Sequence, residues 1–228
     1  MAWARDVASN AGKPFYAFVQ VGNYFKDDNS SVTDQSNLTT VQEMYLEANA
    51  ALAMGARGIS YYSLTQPYEF AVDTNGRVDL YRSGLINVAG VKNNGAGGAK
   101  YEYFNAAKKI NTYIDKIDEV LMNATYQAVV STNKDVTGMV TQWGKIASVS
   151  GDIMVGCFDY YGKEAYMIVN IAGDGGGKGS AVDAVLKFTE AQKGTYIAMG
   201  EPDWSTMSST MQFTKNIPAG EAVLVVLD

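Results

Sequence analysis

Two short apolar runs, separated by a stretch long enough for one helix, constrain the fold of this chain more than any other feature. The first is Phe15-Tyr-Ala-Phe-Val-Gln-Val and the second is Ala56-Arg-Gly-Ile-Ser-Tyr-Tyr-Ser-Leu. Both runs are rich in aromatic and β-branched residues, which is typical of strands buried on both faces. The order strand, helix, strand predicts one βαβ unit with two parallel strands and a right-handed crossover.

Signals for the ends of a helix lie between the two runs. Thr39 or Thr40 can act as the N-cap, and Glu43 stands where a capping box requires an acidic side chain. Gly55 is placed to end the same helix. We therefore predict a helix from about residue 40 to 54.

The pattern of apolar residues changes further along the chain. After a turn-rich stretch, residues 99–122 carry apolar side chains at a spacing near 3.6 and predict a long amphipathic helix. Beyond it, short apolar segments alternate with turn residues, which predicts antiparallel strands, among them separate ones at 184–188 and 195–199. We divide the chain into an α/β part, residues 1–122, and an antiparallel β-sandwich domain, residues 123–228.

Composition excludes several classes of function. The 228-residue chain has no histidine and a single cysteine, Cys157, so one chain cannot form a disulfide, a histidine-dependent triad or a histidine-containing zinc site. Cys157 lies in an apolar run, and we interpret it as an unreactive core thiol. The net charge of -6 disfavours nucleic acid and anionic membranes as partners. No apolar run approaches the roughly 20 residues that span a bilayer.

The first half of the chain resembles the last part of the (β/α)8 barrel of bacterial glycoside hydrolases. The residues that carry the resemblance are Lys13-Pro-Phe-Tyr-Ala-Phe-Val-Gln20, the helix with Glu43, Gly55-Ala-Arg-Gly-Ile-Ser-Tyr-Tyr-Ser63, and a later helix with Asn111. The resemblance implies that the two apolar runs are barrel strands seven and eight. The expected fold class is α/β plus all-β: a partial (β/α)8 barrel, its last βαβα portion, followed by an antiparallel β-sandwich.

A barrel of this kind closes with eight strands, and the resemblance assigns two of them to this chain. The remaining strand edges and apolar faces require a partner. At about 25 cal/mol per Å², leaving about 1,000 Å² bare would forgo about 25 kcal/mol, more than the net stability of a typical domain. We therefore expect a homo-oligomer, or a missing N-terminal half of the barrel, to complete the fold.

The resemblance also implies a carbohydrate-active hydrolase that acts on an oligo- or polysaccharide at the C-terminal ends of the strands. Glycoside hydrolysis normally uses two carboxyl groups. Members of the family place the nucleophilic glutamate after strand seven, where this chain has Gln20, and the acid/base after strand four, which is not among the matched strands. The nearest acidic residues, Asp27, Asp28 and Glu69, are the catalytic candidates.

Amide and aromatic side chains cluster in the same segments. Aromatic faces stack on sugar rings and amides hydrogen-bond to hydroxyl groups, so these residues predict a carbohydrate-binding site. The expected sugar-contacting residues are Gln20, Asn23, Tyr24, Tyr61, Tyr62, Gln66 and Tyr68. In the alternative, the tyrosines fill a barrel interior or an interface, and the chain is a non-catalytic carbohydrate-binding or structural module.

Other motifs lead to weaker expectations. Gly173-Asp-Gly-Gly-Gly-Lys-Gly-Ser lacks the Ser or Thr that a phosphate loop needs after its lysine, and we interpret it as a hairpin loop between antiparallel strands. Arg57 should be structural, and Trp143 and Trp204 either lie in the core or form a platform for sugars. We expect no cofactor and no metal. Carbohydrate breakdown in a bacterium favours secretion, although no leader is visible at Met1.

Overall fold

The computed structural model describes residues 2–21, 40–62, 69–72, 78–81, 85, 101–132, 138–173 and 179–228. The helices are α1 (Ala2–Asn10), α2 (Val41–Ala53) and α3 (Tyr101–Asn123). The strands of the first half are β1 (Tyr16–Gln20), β2 (Gly58–Tyr62), β3 (Glu69–Val72) and β4 (Val78–Tyr81). Those of the second half are β5 (Thr125–Ser131), β6 (Ile146–Ser150), β7 (Ile153–Tyr160), β8 (Lys163–Asn170), β9 (Val182–Ala198), β10 (Ser205–Ile217) and β11 (Ala222–Leu227). None of the helices in these ranges is long and apolar enough to cross a membrane.

The first half contains the predicted parallel unit. Strands β1 and β2 pair in parallel, and Gln20 stands opposite Tyr62 at the end of the ladder. Between them, α2 begins with the predicted capping box: the Glu43 amide donates to the Thr40 hydroxyl at 3.1 Å, and the Thr40 amide donates to the Glu43 carboxylate at 2.6 Å. The helix ends within one residue of its predicted limits. β3 and β4 form a separate antiparallel pair.

The two faces of β1 have different surroundings. Ala17, Val19 and Val21 are buried in apolar clusters that include residues of α2. On the opposite face, Tyr16 is 63% and Phe18 is 72% exposed. No residue of β2 is fully buried. The prediction that both strands are buried on both faces is therefore wrong, because side chains alternate across a strand and no layer of the described chain covers the second face.

The second half has the predicted antiparallel β structure. Its strands hydrogen-bond in the order β10-β9-β11-β8-β7-β5, and β6 pairs with β9. In the described residues all seven strands thus belong to one hydrogen-bonded sheet. One side of this sheet carries an apolar cluster of its own, with Leu186, Phe188 and Phe213 among its buried members.

Strand β9 is longer than predicted. The separate strands expected at 184–188 and 195–199 are parts of one strand of 17 residues. Its first part pairs with β6 and its last part with β11, while β10 follows the other edge with two register shifts. The polar residues between Phe188 and Gly194 remain extended because β10 pairs beside them. The short strand β6 was not predicted.

Helix α2 lies directly against the large sheet. A Cβ atom on Gly156 of β7 would be 1.9 Å from the carbonyl oxygen of Ala53, and one on Gly220 would be 2.3 Å from that of Gln42. Neither contact leaves room for a side chain, so the two glycines set how closely the helix approaches. The other side of α2 packs on β1, which places this helix between the two sheets.

A single apolar cluster connects the two halves of the chain. It contains Val19 of β1, Met44 of α2, Ile110 of α3 and Met167 of β8. Helix α3, predicted at about 99–122, forms part of the same cluster along one face. The position of β1 and β2 is therefore determined by packing on α2 and α3, and through these helices by the large sheet.

Candidate functional site

The C-terminal ends of β1 and β2 bring two predicted sugar-contacting residues together. Gln20 and Tyr62 occupy opposite positions in the parallel ladder. The amide of Val21 donates to the Tyr62 carbonyl at 2.7 Å, which extends the pairing one residue beyond β1. Because opposite residues of paired strands point to the same face of a sheet, the side-chain amide of Gln20 and the ring of Tyr62 belong to one surface.

This surface continues along β1 as a set of exposed aromatic side chains. We call it the aromatic face and define it by Tyr16, Phe18 and Tyr62, which are 63%, 72% and 64% exposed. Gly58 of β2 makes room for one of these rings, since a Cβ there would lie 3.0 Å from the Tyr16 ring. Exposed aromatic rings on a sheet offer a flat apolar surface for stacking.

Glu47 of α2 also reaches this end of β1, although sequence analysis did not single it out. Its carboxylate accepts a hydrogen bond of 2.7 Å from the backbone amide of Gln20. Successive backbone amides of a strand point to opposite edges. Since the backbone amide of Val21 bonds to β2, the backbone amide of Gln20 points to the other edge of β1. Glu47 therefore occupies a position where a further strand would place a carbonyl oxygen.

The environment of Glu47 favours its protonated form. The half-buried carboxyl group has its pKa raised above the usual value, mainly by burial and also by the charge of Glu43, whereas the bond from Gln20 lowers it. The only sequence signal was the spacing of four between Glu43 and Glu47, which places two like charges on one helix face.

Tyr61 does not share the surface of its neighbour Tyr62. Its hydroxyl donates to the Asn111 side chain at 2.8 Å and lies 3.3 Å from the Ala107 carbonyl, both on α3. Burial raises the pKa of this phenol well above its usual value. The structure therefore gives Tyr61 a role in attaching β2 to α3, and its assignment as a sugar contact stays a prediction.

Arg57 has the structural role that was expected of it. Its guanidinium donates to the carbonyl oxygens of Leu121 and Ala124, the second at 2.7 Å, at the C-terminal end of α3. Carbonyl groups at this end of a helix lack intrahelical partners, and a cation satisfies them. The start of β2 is thereby fixed to the end of α3.

The remaining predicted site residues are not assembled by the described structure. Five of them, Asp27, Asp28, Asn23, Tyr24 and Gln66, lie outside the described residues. The same holds for Tyr68 and for the side chain of Glu69, whose backbone begins β3 opposite Tyr81. Their catalytic and binding roles therefore stay predictions.

Three further motifs are placed by the structure. Cys157 is fully buried, and burial raises the pKa of its thiol to about 12, as expected for an unreactive core thiol. Trp143 packs edge-on against Tyr166 with 6.1 Å between ring centroids, and Trp204 is 37% exposed. The loop that begins at Gly173 is not a hairpin, because β11 lies between the two strands that it connects and makes them parallel.

Comparison with known proteins yields structural neighbours only. No family model and no curated protein matches the sequence. The chain is similar in structure to "Crystal Structure Analysis of a GH30 Endoxylanase from Clostridium papyrosolvens C71", with 13% identity and a TM-score of 0.43, over 96% of this chain and 43% of that one. A second neighbour, titled "Glycoside hydrolase", has 11% identity and a TM-score of 0.43, over 95% of this chain and 42% of that one. The chain therefore spans less than half the length of each of these two proteins.

Proposed function

We propose that this chain is part of a carbohydrate-active hydrolase of the glycoside hydrolase kind, and that the C-terminal ends of β1 and β2 contact its oligo- or polysaccharide substrate. The observation that carries the proposal is the pairing of Gln20 with Tyr62 at the ends of two parallel strands. Loops and side chains at this end of a parallel α/β unit commonly form the active site.

The chemistry of these side chains suits a sugar. The exposed Tyr62 ring offers a face for stacking against a pyranose ring, and the Gln20 amide can both donate to and accept from hydroxyl groups. Phe18 extends the apolar surface on the same face of β1. A charged ligand would find no formal charge on these three side chains, which favours a neutral one.

Catalysis would depend on carboxyl groups near this surface. Asp27, Asp28 and Glu69 remain the proposed catalytic residues, since they follow β1 and β2 in sequence. Glu47 is a weaker candidate because its carboxylate is bonded to the Gln20 backbone at the strand edge. We assign it a positioning role, in which it holds the end of β1.

The proposal includes a partner that completes the parallel sheet. The outer edge of β1 is the surface that such a partner would cover, and the partner would be the N-terminal half of a barrel or a second copy of this chain. A strand docking on this edge would take the amide hydrogen bond that Glu47 now accepts. Light scattering distinguishes a self-assembled chain from a monomer that needs another polypeptide.

A non-catalytic carbohydrate-binding module is the second candidate. It is favoured because the Glu47 carboxylate, at the end of β1, already accepts a hydrogen bond from the backbone amide of Gln20. In this case Tyr62 and Gln20 would bind a sugar, and no hydrolysis would follow.

Titration of the chain with a panel of oligosaccharides, including xylo-oligosaccharides, tests both candidates. Tyr62→Ala should weaken binding by about ten-fold or more, because a buried aromatic contact contributes about 1.5 kcal/mol or more. Tyr161→Ala is the matched control, since this tyrosine is 73% exposed and lies at the β7–β8 turn, outside the aromatic face. Equal effects of the two substitutions, or no binding in the whole panel, would refute a sugar site at β1 and β2.

Hydrolysis of chromogenic glycosides separates the enzyme from the binding module. Loss of activity in Glu69→Gln, with oligosaccharide binding retained, would support the hydrolase. Binding of oligosaccharides without hydrolysis under all conditions would support the non-catalytic binding module. The variants should be compared in the same oligomeric state, because the site depends on the proposed partner.

A further inference from the structure

A cavity of about 470 Å³ lies at the other end of β1 and β2 from the candidate sugar site. Phe15, just before β1, and Arg57, just before β2, contribute to its wall, together with Arg5 of α1 and Tyr126 of β5. Its volume is within the range of about 300–1,000 Å³ that small-molecule sites commonly have. Nothing in the proposed carbohydrate function uses this cavity.

The charge of the wall is opposite to that of the protein as a whole. Among the described residues, Arg5, Lys13 and Arg57 are the basic residues of the lining and Asp6 is the acidic one. The described part of the lining thus holds three basic residues and one acidic residue, in a chain whose net charge is -6. A local positive surplus in an acidic protein concentrates small anions at that point.

Two polar groups in this wall retain hydrogen-bonding capacity. Arg57 is engaged by carbonyl groups at the end of α3, and Arg5 donates to Asp6 at 2.8 Å and 2.5 Å and to the Tyr126 hydroxyl at 2.6 Å. Because the Tyr126 oxygen accepts from Arg5, its own proton is left to donate. The Lys13 ammonium forms no hydrogen bond or ion pair with the residues that the structure describes.

The Tyr126 ring is held in place before any ligand binds. The Arg5 guanidinium lies 4.7 Å from the ring centroid, and Phe158 packs edge-on at 5.8 Å. Gly55 leaves space for this ring, since a Cβ there would be 2.9 Å from the Cβ of Tyr126. Burial raises the pKa of the phenol, opposed by the charge of Arg5, so the hydroxyl is protonated at neutral pH. A fixed donor loses little entropy on binding.

We propose that this cavity binds a small organic anion, through its carboxylate or phosphate group, by hydrogen bonds from the Lys13 ammonium and the Tyr126 hydroxyl, which the guanidinium of Arg5 holds in place. The two anionic groups share the chemistry that the wall recognises, namely oxygen acceptors with negative charge. Tyr16, Phe18 and Tyr62 are not among the lining residues, so anion binding can be tested without a carbohydrate.

NMR titration of the intact chain with malonate and, separately, inorganic phosphate tests the proposal. We expect saturable shifts of the signals of Lys13, Tyr126 and Gly138, and none of comparable size with sodium chloride at equal ionic strength. The tighter of the two probes identifies the preferred anionic group. Lys13→Met should weaken binding about five-fold or more.

Lys187→Met serves as the matched control, because Lys187 is an exposed lysine on β9 that does not line the cavity. It should leave the affinity unchanged. Tyr126→Phe removes only the donor hydroxyl and should also weaken binding. The proposal is overturned if sodium chloride produces the same shifts, or if neither substitution at the cavity alters the affinity. It is equally overturned if Lys187→Met is as damaging as Lys13→Met.

Discussion

Replacing Gly156 by alanine should destabilise the protein strongly, because this glycine allows α2 to lie on β7. The added Cβ would stand 1.9 Å from the Ala53 carbonyl oxygen and 2.6 Å from its carbon. Moving the Ala53 oxygen from 1.9 Å to 3.0 Å from the added Cβ requires a shift of about 1.1 Å. The obstructing atoms belong to the backbone. A rotamer change in a neighbouring side chain therefore cannot absorb the clash.

The size of the effect follows from what else holds α2. On the side away from β7, the helix packs on Val19 of β1. In addition, the Asn49 side chain donates a hydrogen bond of 2.9 Å to the Gly220 carbonyl oxygen. A shift of the helix disturbs these contacts as well, so the cost should lie at the upper end of the range for overpacked cores, about 3 kcal/mol. At about 2–4 °C per kcal/mol, the Tm should fall by about 6–12 °C.

Equilibrium unfolding in urea, followed by circular dichroism, measures this change. Gly173→Ala is the matched control, because a Cβ at Gly173 would meet no atom of the described residues within 4 Å and its φ is not positive. This variant should remain within about 0.5 kcal/mol of the parent. If Gly156→Ala were as stable as Gly173→Ala, the close approach of α2 to the sheet would be refuted.

Three further outcomes are expected. Arg57→Met should lower the free energy of unfolding by about 2–3 kcal/mol, because it leaves carbonyl groups at the end of α3 without their cation; a loss below about 0.5 kcal/mol in urea unfolding would contradict this. Glu47 has a raised pKa in the folded state, so its contribution is most favourable below the unfolded pKa and is lost as pH rises through the folded value. Glu47→Gln should therefore gain stability relative to the parent between pH 4 and pH 7, measured by urea unfolding at both values, and the opposite trend would disprove the assignment. Cys157, with its thiol pKa raised to about 12, should react with a thiol reagent only at the rate of unfolding; rapid labelling of the native protein would show that it is accessible.

The helix and strand signals that were predicted well all act over short distances in sequence. The capping box joins Thr40 to Glu43, a nearly continuous apolar run marks β1, and short apolar segments between turn residues mark the strands of the second half. Strand β9 was divided wrongly in the prediction because its polar middle resembles a turn in sequence. What keeps that middle extended is pairing with β10, a contact with residues further along the chain.

The candidate site was only partly accessible to sequence reasoning. Placement of Gln20 beside Tyr62 followed from the expectation of two parallel strands. Glu47 was missed because its partner, the Gln20 amide, is 27 residues away. The different surroundings of Tyr61 and Tyr62 were also missed, since the sequence shows two adjacent tyrosines and not which of them faces α3.

Sequence alone determined the parallel βαβ unit, the capped helix within it and the antiparallel second half, because hydrophobic period, capping and turn chemistry are properties of neighbouring residues. Only the tertiary structure decided that α2 lies between the two sheets, that one face of β1 is exposed among the described residues, and that Arg5, Lys13 and Tyr126 meet around a single cavity. These features depend on which distant surfaces approach each other. That choice is made by the fit of whole layers, such as α2 against Gly156 and Gly220, and no local pattern records it.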